Sequence, residues 1–238
     1  MTTHTPIVFI VHDEAETRDH IRGVVEAAGL QAEPYADVAL FLDELCLDQP
    51  GCVVIGTRVR AQTAAEVQHA LAGRGARLPI VVVAGDGDVA SAVSALKAGA
   101  MDVIEGPLLP QRVVPVVLRA LAADLGSRSS RLEQDDIRLR YAQLTPRECE
   151  VLKLVIEGQT SGVIAKQLGI SEKTVEIYRS HINKKMRVRN AVQLTRMMHS
   201  VTWAGSWDRR ESKRERGVAR GRRGLAAEGN TELVVGER

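Results

Sequence analysis

Apolar and polar positions alternate in one rhythm through the first half of the chain and in another through the second. From Pro6 a buried-looking run, "PIVFIV", is followed by an amphipathic stretch over 16–28 closed by Gly29, and the pattern then repeats. Further strand candidates are "QAEPY", "CVVI", "PIVVVA" and "MDVIE". Further helix candidates are "DVALFLDEL", "TAAEVQHALAG", "DVASAVSALKAG" and a last stretch ending near Leu125. Apolar strands interleaved with helices in this way predict a doubly wound α/β domain, a five-stranded parallel sheet covered on both faces. In such a sheet the functional crevice lies outside the carboxyl ends of the strands, which directs attention to residues 12–14, 56–58, 84–86 and 106–107.

Beyond Leu125 the strand rhythm stops. Residues 126–140, "GSRSSRLEQDDIRLR", are polar and open with Gly and Ser, and read as a linker that is helical toward its end. In "LTPRECEVLKLVIEG", Thr145 is placed as an N-cap, Pro146 at the first helical position and Glu148 to close a capping box, with Gly158 ending the helix. A short helix follows from an N-cap at Ser161 to Gly169, and Ser171 caps a third, "EKTVEIYRSHINKKM". At about 100° per residue, Val175, Tyr178, Ile182 and Met186 form one core-facing stripe of that helix. Lys173, Glu176, Ile177, Ser180, Lys184 and Arg187 fall on the other side.

With 238 residues and 45% apolar content, the chain can form two small domains with their own cores. Its longest apolar runs are far shorter than the roughly 20 residues of a membrane span, and its first residues carry acids rather than a basic, apolar leader. A soluble cytoplasmic protein without membrane association is expected. Cys46, Cys52 and Cys149 show no metal-like spacing and read as thiols in a reducing compartment.

Charge separates the halves. Residues 1–125 hold 9 Lys/Arg against 16 Asp/Glu, and the remainder holds 23 against 14. An acidic half joined to a basic one suggests that the second half meets a polyanion. From Trp203 onward the composition is basic and poor in apolar residues, with Arg209, Arg210, Lys213 and Arg214 in one short run. Residues 203–238 are expected to be disordered when free and to touch nucleic-acid phosphates without sequence preference.

Two sets of motifs carry a family resemblance. "IVHDE" and "PIVVVAGDGDVASAVSALKAGAMDVIEGP" resemble the receiver domain of bacterial response regulators, nearest to the FixJ/NarL group, over residues 5–122. "LTPRECEVLKLVIEG", "IAKQLGISEKTVEIYRSHINKKM" and "RNAVQLTRMM" resemble a LuxR-type helix-turn-helix domain over residues 141–202, with 123–140 as the linker. The resemblance implies a flavodoxin-like receiver followed by a small all-α DNA-binding domain. The protein is then a transcriptional regulator bound to double-stranded DNA as a homodimer, with a sensor kinase or another protein as possible partner at the receiver. By resemblance the third helix enters the major groove with Glu176, Ile177 and Ser180 toward base edges. Lys173, Thr174, Arg179 and Lys184 hold phosphates, with Arg187 on the same face, and the helix over 191–198 is where the family dimerises. Gly162 departs from the polar or basic residue often found there.

The receiver departs further. In the family an aspartate ending the third strand attacks phosphorus, and two acids after the first strand hold Mg²⁺ with it. A Ser or Thr after the fourth strand and a Lys after the fifth bind the phosphoryl oxygens. Here the acid pair reads His12 and Asp13, the acceptor position Gly56, the hydroxyl position Ala84 and the lysine position Gly106. The aromatic position of the fifth strand reads Val103. Nucleophile, hydroxyl, cation and one metal ligand are lost together, so phosphorylation at the usual site is not expected, no cofactor is required, and the Mg²⁺ site is incomplete. Thr57 and Asp48 are the nearest substitute acceptors. Thr57 should point to another face, however, and Asp48 precedes the strand.

Three smaller features complete the reading. "GDGD" at 85–88 lacks the remaining ligands of a calcium loop, and His12 beside Asp13 is not a metal site on its own. Pro115 in the last receiver helix requires a start near Val114 or a kink. No nucleophile, metal cluster or phosphate-cradling loop survives inspection, so an enzyme is not expected. Control by a partner or ligand at the receiver, or phosphorylation at another acceptor, are the alternatives.

Overall fold

The computed structural model describes residues 5–85 and 87–201. The described chain divides into two compact units at Leu132 and Glu133. Asp86 and the basic tail over 203–238 lie outside the described residues.

The first unit is built on strands β1 (Ile7–Val11), β2 (Gln31–Tyr35) and β3 (Gly51–Gly56), followed by the short β4 (Arg58–Val59) and β5 (Gln62–Thr63), then β6 (Ile80–Ala84) and β7 (Asp102–Glu105). Five of these form the main sheet in the order β2-β1-β3-β6-β7, with every pairing parallel. Helices α1 (Ala15–Ala27), α2 (Val38–Glu44), α3 (Ala64–Gly73), α4 (Val89–Lys97) and α5 (Pro110–Ala142) complete it. Successive residues of a strand face opposite sides, and the core obeys this rule. Phe9, Val11, Val53, Ile55 and Val82 pack with Phe41, Val67 and Leu71 on one side. Val8, Ile10, Val54, Val81 and Val83 pack with Ile21, Val25, Val113 and Val117 on the other. All six residues of β3 are buried, as befits a central strand covered on both faces.

Two features differ from the sequence reading. Directly after β3 the chain forms a small antiparallel hairpin, pairing Arg58 with Thr63 and Val59 with Gln62. Its two-residue strands carry no periodic signal. The second difference is the stretch 123–140, which is helical throughout rather than only toward its end, because α5 runs from Pro110 to Ala142 with Pro115 inside it; the division between the two units falls within this stretch. Pro115 marks no helix start: as the sixth residue of α5 it removes one i→i−4 bond, to the Gln111 carbonyl, and the helix continues through it.

Two buried polar contacts explain why the helix continues past Leu125. Asp124, 0% exposed, accepts a bond from Arg128 Nε at 2.7 Å and another from the Gly51 backbone N–H at 3.0 Å. The rest of the Arg128 guanidinium donates to the carbonyls of Leu47, Asp48 and Gln49. Gly51 has to be glycine at this crossing, since a Cβ there would collide with the Ile7 carbonyl oxygen.

The second unit contains α6 (Pro146–Ile156), α7 (Ser161–Leu168), α8 (Glu172–Met186) and α9 (Ala191–His199), together with the last turns of α5, whose Ile137 and Tyr141 belong to its core. Its packing therefore begins ahead of residue 141. The capping box of Thr145 and Glu148 forms with both reciprocal bonds, and Pro146 occupies the first turn. Helix α7 is capped one residue earlier than the sequence suggests: Thr160 is the N-cap and Ser161 the first helical residue. Gly169 (φ 66°) ends α7 in the left-handed region, as a residue without a Cβ readily does. Among the described residues no helix is long and apolar enough to cross a membrane.

Candidate functional site

At the carboxyl ends of the sheet lies an open cleft of about 420 Å³, lined among others by His12, Gly56, Thr57, Arg58, Ala84 and Gly106. The altered receiver positions His12, Gly56, Ala84 and Gly106 thus meet at one place. Their meeting follows from register: Val11 pairs with Ile55 and Gly56 with Val83, so His12, the residue after β1, falls beside Gly56. A Cβ on Gly56 would stand 3.0 Å from His12 Cδ2 and 3.2 Å from both His12 Nε2 and the Arg58 carbonyl oxygen. The imidazole therefore stands in tight contact with the place a Cβ at position 56 would take and would have to shift to admit a side chain. Its Nδ1 accepts the Glu14 backbone N–H at 3.1 Å, which fixes the ring over the strand end.

Asp13, the acid retained from the pair, is engaged by the hairpin. Its Oδ2 accepts the Arg60 backbone N–H at 3.2 Å, and the Arg60 guanidinium reaches Asp37 at 2.7 Å. Burial acts to raise the Asp13 pKa, but the Arg60 N–H and the nearby His12 outweigh it, and the carboxyl is held below its usual range. Glu14 accepts the Thr17 hydroxyl at 2.6 Å. Thr57, expected to point elsewhere, lines the cleft. Hydrogen bonding from the Ser91 side chain and then from Thr57 lowers the Asp88 pKa.

This arrangement does not fit the Mg²⁺ that the receiver fold usually binds. A hard cation of octahedral preference needs converging oxygens. Gly56 supplies none, a His12 nitrogen stands over it, and Asp13 is engaged by Arg60. Among the described residues no three His, Cys, Asp or Glu side chains converge as metal ligands. Cys46 is exposed, while Cys52 and Cys149 are buried. Burial, with Asp124 nearby, pushes the Cys52 thiol up to about 12.

In the second unit α8 presents the face expected of it. Val175, Ile182 and Met186 are buried and Tyr178 is half-buried, whereas Lys173, Glu176, Ile177, Ser180, Lys184 and Arg187 are exposed. Ile177, 49% exposed, is an apolar residue left open among polar ones. Two residues are more constrained than their spacing suggests. Arg179 is half-buried and donates to Ser161 Oγ at 3.2 Å, and the Ser161 hydroxyl in turn donates to Glu176. Ser161, at the first position of α7, thereby ties that helix to α8, a role that its reading as a cap did not include. Gly162 lies against Glu172, whose Oε1 would be 3.0 Å from an added Cβ. Arg187 closes α8 in the left-handed region (φ 56°). From beneath, Lys185 pairs with the buried Glu148 at 2.7 Å.

A doubly wound receiver-like unit followed by a helix-turn-helix defines a class, and comparison with known proteins agrees. Residues 8–117 match the response regulator receiver domain, and residues 142–198 match the bacterial regulatory proteins of the luxR family. The chain belongs to the FixJ-like response regulators, a family of transcriptional regulators rather than enzymes, with a LuxR-type DNA-binding domain. It is 31% identical to nodulation protein W of Bradyrhizobium diazoefficiens, covering 82% of this chain and 86% of that one. It is 33% identical to the transcriptional regulatory protein FixJ of Azorhizobium caulinodans, covering 80% and 90%. Among solved structures, the response regulator StyR superposes with a TM-score of 0.72 at 31% identity, covering 82% of this chain and 98% of StyR. Full-length FixJ from B. japonicum gives 0.52 at 29% identity, covering 83% and 98%.

Proposed function

We propose that this regulator binds its DNA sites as a homodimer and does so without phosphorylation at the end of β3. One observation carries the reading: β3 ends in Gly56, which has no side chain to accept phosphate, and the His12 ring lies in tight contact with the place its Cβ would take. A carboxylate nucleophile is missing there, Ala84 offers no hydroxyl, Gly106 offers no cation, and the acids after β1 are engaged elsewhere. On DNA, α8 lies in the major groove with Glu176, Ile177 and Ser180 toward base edges. Lys173, Thr174, Lys184 and Arg187 contact phosphates, and Arg179 acts from its bond to Ser161. The test is a mobility shift of the full-length protein on a promoter fragment with and without acetyl phosphate and Mg²⁺. Equal affinity is expected, and a marked gain with acetyl phosphate overturns the reading.

A second reading has support of its own in the cleft, which stays open beside His12 with Arg58 exposed at its wall. There a ligand or partner protein replaces phosphate as the input. Thermal unfolding of the full chain with inorganic phosphate distinguishes the two: a concentration-dependent rise in midpoint supports a ligand site, and an unchanged midpoint leaves the cleft without an anion.

A further inference from the structure

Three side chains from α7 and α8 close a small network at the edge of the exposed α8 face. Arg179 Nη1 donates to Ser161 Oγ at 3.2 Å, and the Ser161 hydroxyl donates to Glu176 Oε1. The ends of this chain fix its direction. A guanidinium only donates and an ionised carboxylate only accepts, so the single hydroxyl proton goes to Glu176. Ser161 is free to do this because Thr160, not Ser161, holds the N-cap position of α7. Glu172, one turn before Glu176 on α8, lies against the same end of α7, where Gly162 leaves room for its carboxylate. The positive end of a helix dipole favours acids placed in this way. Glu176 nevertheless stays exposed: the Ser161 bond occupies Oε1 and leaves Oε2 for a donor from outside the chain.

We infer that Ser161, which lies outside α8, sets the base preference of Glu176, and that the preferred base is cytosine. The inference rests on the reading above that α8 enters the major groove, and it names what one residue of that helix reads there. An acceptor-only group facing base edges selects an amino donor, and carboxylates take the N4 amino group of cytosine. Charge requires help, since a carboxylate among phosphates is repelled unless a cation answers it. Arg179, one hydroxyl away, answers it without occupying the carboxylate directly. The bond to Ser161 also removes rotamer freedom from a long exposed side chain before the base is met, so less order has to be imposed on binding. Ser161 is thus a positioning residue that acts through Glu176.

Selection of sites from a randomised duplex library by the full-length protein, with the salt dependence of binding measured on the same variants, tests the assignment. Wild type is expected to enrich cytosine at one position, and Glu176→Ala to abolish that enrichment there alone. Ser161→Ala, which leaves the cap at Thr160 in place, is expected to lower the enrichment about fivefold, with the salt slope and the preferences elsewhere unchanged. Ser161→Thr, which keeps a hydroxyl, is expected to restore it. A Ser161→Ala variant that binds every sequence less tightly and keeps its cytosine makes the hydroxyl a mere tie between helices and overturns the inference. So does enrichment of another base at the position that depends on Glu176. The two levels fail differently. Unchanged selection by Glu176→Ala, Ile177→Ala and Ser180→Ala alike sinks the placement of α8 in the major groove. Unchanged selection by Glu176→Ala alone, or a loss with Glu176→Ala but none with Ser161→Ala, sinks only the role given to this pair.

Discussion

Arg128 donates through Nε to Asp124 at 2.7 Å, and its remaining nitrogens reach the carbonyls of Leu47, Asp48 and Gln49. One arginine of α5 thus secures both a buried carboxylate and the loop that leads into β3. Asp124 Oδ2 serves Gly51 N–H as well, while Oδ1 is buried without a hydrogen-bond partner among the described residues. Removing the arginine leaves a buried charge with only the Gly51 N–H to hold it. Arg128→Ala should therefore destabilise the first unit by about 3 kcal/mol, and Asp124→Asn combined with Arg128→Ala should cost less than the sum of the singles. Urea unfolding of the full chain, followed through its transitions, measures both.

Gly56→Asp, which supplies the missing carboxylate, is expected to destabilise rather than to restore phosphate acceptance. The new side chain meets the His12 ring, and overpacking of this kind costs roughly 1–3 kcal/mol. Adding His12→Ala removes the obstruction without setting a second carboxylate beside the first. A double-mutant cycle by urea denaturation should show that the second change recovers part of the loss, and additive effects would contradict the contact.

The second unit should lose stability in acid through Glu148. Burial acts to raise the pKa of this carboxyl, but the Lys185 ammonium and the Thr145 N–H and hydroxyl outweigh it, and the group sits below its ordinary value of 4.5. A carboxyl lowered on folding stabilises the native state above its unfolded pKa, and that stabilisation is lost as pH falls through the folded pKa. Thermal midpoints should accordingly drop as pH falls from about 5 toward 3, and Glu148→Gln should flatten that dependence while costing about 2 kcal/mol at neutral pH.

Arg187 combines a backbone strain with a functional face. At φ 56° it adopts a conformation that glycine takes without a Cβ penalty. Arg187→Gly is expected to raise the stability of the second unit by up to about 1 kcal/mol while weakening DNA binding and lowering its salt slope by about one. Unfolding and salt-dependent binding isotherms on the same variant check the two opposite signs.

Base reading and phosphate holding should separate on α8. Ser180→Ala and Ile177→Ala should change preference among sequences, by about 1–3 kcal/mol for a favourable base contact. Lys173→Ala should weaken binding to every sequence alike, because a phosphate contact carries no base information. Binding to a randomised promoter library distinguishes these outcomes.

The doubly wound unit was legible because each central strand is an unbroken apolar run and each helix carries its own periodicity. The caps at Thr145 and Ser171 were legible from local chemistry alone. What escaped depends on contacts between distant positions. "GSRSSR" has the composition of a linker, yet Asp124 and Arg128 on one side and Ile137 and Tyr141 on the other hold the segment as helix. The hairpin of β4 and β5 is too short to show a period. At the cleft the altered residues were legible one by one, but the packing of His12 over Gly56 needed the register of β1 and β3, which no local pattern encodes.

The contact between His12 and Gly56 also sets an order of events. With the imidazole in place, an aspartate arriving alone at position 56 meets the ring before it meets a phosphoryl donor. A carboxylate arriving alone at position 12 finds no acceptor beside it. Neither first step brings back phosphate chemistry, and Ala84 and Gly106 would still have to change. Phosphate chemistry at this cleft therefore needs concerted changes at positions 12, 56, 84 and 106, whereas a ligand that uses the side chains already there needs none.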